Sequence, residues 1–197
     1  MALFLFVNLT MSSNKKLAGQ TSLRDTVLKL YLCSILMANK FRTIVNKVNK
    51  APRGMRSFLL TKIFCTTVKF AGTSSIKLVS VSNTEAVLTL KNKKKVRNHI
   101  GGIHAIAAAL LAESATGIVF GMNVLDSCVP LLKSMTIHYQ RRMKGNLIAV
   151  AKITEADVQM IENSDKGSMM VGVEITDETE QQPIFCEMEW AWVKKRT

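Results

Sequence analysis

The chain has 197 residues, 48% of them hydrophobic, which suits one globular domain with an appendage. Its four cysteines (Cys33, Cys65, Cys128, Cys186) are too sparse for a disulfide scaffold, and no pair has metal-ligand or redox spacing. The formal net charge of +13 is lopsided: residues 1–97 hold 18 Lys and Arg against two acids, and residues 98–197 hold nine against 12. Such a basic arm has three candidate partners: nucleic acid, an anionic membrane, or the phosphates of a cofactor.

In chain order, MALFLFV at the start is apolar but short, with no basic residue before it. The longest apolar stretch, Leu30 to Ala38, is nine residues and cannot span a bilayer, so no transmembrane segment is expected. No convincing targeting segment is present. The acid-poor, basic N-terminus bears a faint resemblance to a mitochondrial presequence, and another reading is that residues 1–36 lie outside the native protein, which then starts at Met37. A cytoplasmic protein is the expectation and a mitochondrial one the alternative. Leu23, Val27, Leu30, Tyr31, Ile35, Phe41, Ile44, Val45 and Val48 recur at helical spacing. They predict one or two helices with basic outer faces. Ala51-Pro52-Arg53-Gly54 ends the run, and a short helix over 55–66 follows. The apolar faces of these helices are expected to cover the next domain; a membrane-surface role is the second reading. Residues 1–50 are thus a basic helical extension, and residues 51–197 the main domain.

From Ser75 the pattern alternates and becomes β-branched. SIKLVSVS and TEAVLTLK, separated at Asn83, predict a hairpin. NHIGGIHAIAAALLAESATG, residues 98–117, predicts a long helix, apolar on every side and broken only by Glu113. Four strands are expected beyond it: KSMTIHYQ, GNLIAVAKITEADVQMI, GSMMVGVEIT and QPIFCEMEWAWVK. Turns fall at Lys144-Gly145-Asn146, Asn163 to Gly167, and Asp177 to Pro183. One helix amid one antiparallel sheet has a simple solution, an α+β fold in which the sheet curls around the helix. Alanine and glycine along the helix let the sheet come close.

That element order resembles the hotdog fold. Asn98, Gly102, His104 and Glu113 stand at spacings similar to those of the PaaI-type acyl-CoA thioesterases. The string NHxGGxHA, with Glu as the acid, resembles a poorly characterised branch of that superfamily, a domain of unknown function. The resemblance implies a thioester hydrolase with Glu113 as base or nucleophile. Asn98 would orient water or carbonyl, and the backbone N–H at His104-Ala105 would form the oxyanion hole, with Gly102 part of the motif. It also implies a site between subunits of a homodimer or homotetramer. Coenzyme A enters only as part of the substrate, with no separate cofactor and no metal. Three departures stand out. Ala105-Ile106 replaces a frequent Gly-Gly, Glu113 replaces a frequent Asp, and Leu132 sits where some members carry a serine. Ser134 and Thr136 are candidate substitutes for that serine.

Thioester hydrolysis needs an activated water or nucleophile and a donor for the oxyanion, and a helix N-terminus supplies free N–H groups. Nine helical residues separate His104 from Glu113, a rise of about 13–14 Å and a rotation of about 900°, so opposite faces. A shared site must then use two chains. The bland alternative is a Glu113 bonded to backbone or paired with an arginine.

Two basic clusters are candidates for coenzyme A phosphates. KNKKKVR, residues 91–97, reads first as a solvated loop, the more common case for such a run, and second as a phosphate contact. Arg141, Arg142 and Lys144 lie at a turn that the resemblance puts near the pantetheine channel. Neither cluster interleaves aromatics, so nucleic acid is not an expected partner. His99 reads as a loop residue, and His138 as core or surface. Trp190 and Trp192 share a strand face that packs under the N-terminal helices or at an oligomer contact. Two alternatives remain open: a non-catalytic acyl-CoA or lipid binder, given the missing serine, and a hydratase or dehydratase. The latter would use His99, 14 positions before Glu113, but the Pro-Gly that leads such helices is absent.

Overall fold

The computed structural model describes residues 39–196. The helix predicted before residue 39, and Cys33, lie outside the described residues. Helix α1 (Lys40–Val48) begins at Asn39, whose side chain accepts from the Arg42 amide at 2.7 Å. The same side chain donates to Gly121 O and Val124 O, so one residue caps α1 and ties it to the end of the central helix. Helix α2 (Arg53–Thr67) matches the predicted second helix, and a short α3 (Lys69–Ser74) follows unforeseen. Val45 and Val48 of α1 and Leu60 and Phe64 of α2 enter the core, as expected of helices that cover the domain.

Strands β1 (Lys77–Val81) and β2 (Glu85–Leu90) form the predicted hairpin. The central helix α4 (Ala105–Gly121) precedes β3 (Cys128–Tyr139), β4 (Leu147–Lys152), β5 (Lys166–Asp177) and β6 (Ile184–Lys194). All pairings are antiparallel, in the order β1-β2-β4-β5-β6-β3. This is the hotdog architecture, one sheet wrapped on one helix. Ten of the 17 residues of α4 are buried.

Close approach explains the small residues. A Cβ on Gly117 would stand 2.8 Å from the Trp190 indole, so only glycine admits that ring. The indole N–H of Trp190 donates to Thr116 Oγ1 at 3.0 Å, and both Trp190 and Trp192 pack on Phe120. The tryptophans therefore pack against the central helix.

One predicted strand is split. GNLIAVAKITEADVQMI yields β4 and then helix α5 (Glu155–Glu162), opened by a capping box of Thr154 and Asp157. Val158 and Ile161, three apart, bury its inner face. The described cysteines are free thiols, and burial pushes the Cys186 thiol up to about 11. No described helix is long and apolar enough to cross a membrane, and no metal-ligand cluster exists among the described residues.

Candidate active site

The loop of residues 98–104 folds around the Asn98 side chain. Asn98 Oδ1 accepts from the amides of Ile100 (3.1 Å) and Gly102 (3.0 Å), and the Asn98 amide donates to Gly102 O at 2.8 Å. Gly101, at φ 81°, occupies the left-handed region that glycine tolerates. The carboxamide oxygen of Asn98 is thus spent on the loop, and only its Nδ2, 3.5 Å from Ile103 O, remains to meet a ligand.

His104 is the N-cap of α4. Its Nδ1 accepts from the Ile106 amide at 3.1 Å, which requires an unprotonated Nδ1. The amides of Ala107 and Ala108 go to His104 O, and that of His104 to Val96 O. The Ala105 amide alone in this turn has no partner among the described residues, at the positive end of a 17-residue helix. Tyr139 braces the turn from β3, its hydroxyl donating to Ala105 O at 3.0 Å.

Glu113 lies two turns further on, in an open groove of about 380 Å³. The rest of its lining is Val68, Phe70, Ile106, Ala109, Leu110 and Met135, all apolar. Burial raises the carboxyl pKa above the usual glutamate value, and one long 3.5 Å bond from the Ser114 hydroxyl opposes the shift. No arginine or lysine pairs with it among the described residues.

A second pocket of about 260 Å³ holds His104, Lys95 and Arg97 and shares Phe70, Ile106 and Leu110 with the groove. His104 and Glu113 therefore occupy adjacent pockets on one flank of α4, not opposite faces. The helical arithmetic fails because His104, at φ −63° and ψ 139°, is extended and folds back over the first turn. Their separation along the axis remains. Eight residues from Ala105 to Glu113 rise about 12 Å, more than a glutamate side chain spans.

The strand facing Glu113 corrects a second expectation. A bulge between Leu132 and Ser134 shifts the alternation of β3. Ser134 then donates to Glu189 on the outer sheet face, and Thr136, two residues on, shares that face. Both therefore point away from the Glu113 groove of their own chain, and Met135 faces it instead.

The basic turn divides its roles. Arg141 donates to Asp177 Oδ1 (2.9 Å) and Thr179 Oγ1 (3.0 Å), and Lys144 donates its amide to Asp177 Oδ2. Burial works against the Asp177 carboxylate. The Arg141 guanidinium, the Thr179 hydroxyl and the amides of Lys144 and Thr179 nevertheless hold its pKa well below the usual carboxylate range. Arg142 donates to Ile100 O at 2.7 Å and so pins this turn to the 98–104 loop. Arg141 is a structural tie, while the Lys144 ammonium makes no ion pair among the described residues.

A family model described as a domain of unknown function, DUF4442, matches residues 56–193. The chain belongs to the DUF4442 family. No curated protein matches it. Among solved structures it is similar to a Pseudomonas aeruginosa protein of unknown function described as a probable thioesterase. That likeness has a TM-score of 0.63 and 21% identity, over 70% of this chain and 95% of the other. A Staphylococcus aureus thioesterase gives 0.55 and 19%, over 64% of this chain and 99% of the other. One from Haemophilus influenzae gives 0.54 and 10%, over 68% and 88%. At these identities the likeness shows the fold.

Sequence reasoning about this DUF4442 chain missed the apolar walls of the site. Val68 lies at the junction of α2 and α3, Phe70 in α3, and Met135 in a strand set by a bulge. No motif marks them. The exposed His99 stays in the loop, outside both pockets.

Proposed function

We propose that this DUF4442 protein hydrolyses acyl-CoA thioesters at a site built between two subunits. The observation that carries the reading is Glu113, a carboxylate with a raised pKa in an apolar groove, with no cationic partner among the described residues. Such a group is a poised general base. Glu113 takes a proton from water as the oxygen attacks the thioester carbon. The Ala105 N–H, at the helix N-terminus, receives the developing oxyanion. The C–S bond then breaks, and the proton passes from Glu113 to the departing thiolate.

Because Ala105 and Glu113 of one chain lie too far apart for one carbonyl, each site takes the helix start of one subunit and the glutamate of the other. A two-fold dimer holds two such sites. The groove suits an acyl chain. Lys95 beside His104, with Lys144 and Arg142 at the turn, suits the coenzyme A phosphates. The test is a panel of acyl-CoA substrates assayed with wild type and Glu113→Gln. Turnover that the variant loses supports hydrolysis; binding without turnover in wild type would leave the acyl-CoA binder as the reading.

A further inference from the structure

The helical layer ahead of the sheet carries a surface that hydrolysis does not use. Residues 39–84 contain nine Lys and Arg and no Asp or Glu. Among the described residues only Arg42 of these nine makes an ion pair, with Glu162 at 2.6 Å. The other eight make none among the described residues, so this segment carries net positive charge.

Helix α2 is apolar on two sides. Leu60 and Phe64 face the core. Met55 and Phe58, on the other side, are 53% and 63% exposed, and Lys62 continues their stripe one turn on. Lys62 and Phe58 line an open groove of about 470 Å³ whose far wall carries Lys77 at the start of β1. Two exposed apolar side chains one turn apart, with Lys62 and Lys77 along the adjoining groove, make a mixed apolar and cationic face.

We propose that the outer face of α2, with Met55 and Phe58 at its centre and Lys62 and Lys77 beside them, docks on an anionic membrane surface. Two weak signals add there. The apolar side chains enter the headgroup boundary, and the lysines stay with the lipid phosphates while their stems cover the apolar contact. Nucleic acid would satisfy the charge but not the methionine and phenylalanine, which offer no row of stacking aromatics. The face lies outside the two pockets of the candidate site, since neither Met55 nor Phe58 lines them.

The test is co-sedimentation of the full chain with phosphatidylcholine vesicles, with and without phosphatidylserine. Wild type pellets with the anionic vesicles alone, less so as salt rises. Met55→Ser with Phe58→Ser lowers that partition about tenfold, with the melting temperature and acyl-CoA turnover unchanged. Lys62→Glu with Lys77→Glu gives the same loss through charge, and decides the matter if the serine variant folds poorly. Three results would each overturn the proposal: no pelleting of wild type, equal pelleting of the serine variant, or tighter binding to a DNA duplex than to anionic vesicles.

Discussion

Two carboxylates divide this molecule. Asp177, at the end of β5, is buried and surrounded by donors: Arg141, the Thr179 hydroxyl and amide, and the Lys144 amide. Glu113, midway along α4, is partly buried and has one long bond from its neighbour Ser114. Their pKa values move in opposite directions, down for Asp177 and up for Glu113. A saturated buried charge holds structure. An unsaturated one is kept at a cost to stability, and the cost makes sense where a reaction uses it.

The sharpest way to break this comparison is Glu113→Gln. If Glu113 is the proposed general base, its loss lowers kcat about 10²–10⁴-fold. Stability moves the other way. A carboxyl with a raised folded-state pKa favours folding below its unfolded pKa and loses that contribution as pH rises through the folded value. Melting curves from pH 4 to pH 8 therefore show the glutamine variant gaining on wild type as pH rises. A constant gap with near-wild-type kcat would make Glu113 another Asp177.

The second effect tests the division of the site between chains. Ala105→Pro deletes the amide of the turn that has no partner among the described residues, at a helix position that accepts proline, and the preceding His104 is already extended. It lowers kcat about 10²–10³-fold with the fold intact. Refolded together, Ala105→Pro and Glu113→Gln form mixed dimers in about half of cases, each with one complete site. Activity recovers to about a quarter of wild type. No recovery, with mixed dimers confirmed by mass spectrometry, would put each site within one chain.

The saturated carboxylate predicts a stability effect instead. Arg141→Ala strands a buried charge and costs about 3 kcal/mol in urea unfolding. The loss shrinks as pH falls through the folded pKa of Asp177, because a depressed carboxylate stabilises only while ionised. The smallest effect belongs to the surface cations. Lys95→Ala with Lys144→Ala raises KM for acyl-CoA about three- to tenfold, with kcat unchanged. KM for a pantetheine thioester without the nucleotide stays the same. Equal changes for both substrates would remove these lysines from phosphate contact.

Much of the fold could be read from residues alone, because its signals are local. Alternation marks the strands of the hairpin, and an apolar run on all sides marks a helix wrapped by a sheet. Even the missed helix α5 had a local signature. Thr154 and Asp157 stand at capping-box spacing before Val158 and Ile161, but a β-branched run led into them and masked the change of period. The isolated carboxylate of Glu113 was visible for the same reason, as a break in an otherwise uniform pattern.

Tertiary structure alone decided the surroundings. A one-residue bulge in β3 turned Ser134 and Thr136 outward and Met135 to the groove, and a bulge leaves no fixed trace in sequence. The cap geometry of His104 moved it to the same flank as Glu113, since a residue outside the helix does not follow helical rotation. Arg141 became a structural tie because Asp177, 36 residues away, folds back onto it. Residue types and their period specify elements; which group is satisfied, and which is left waiting, depends on partners brought together only by the folded chain.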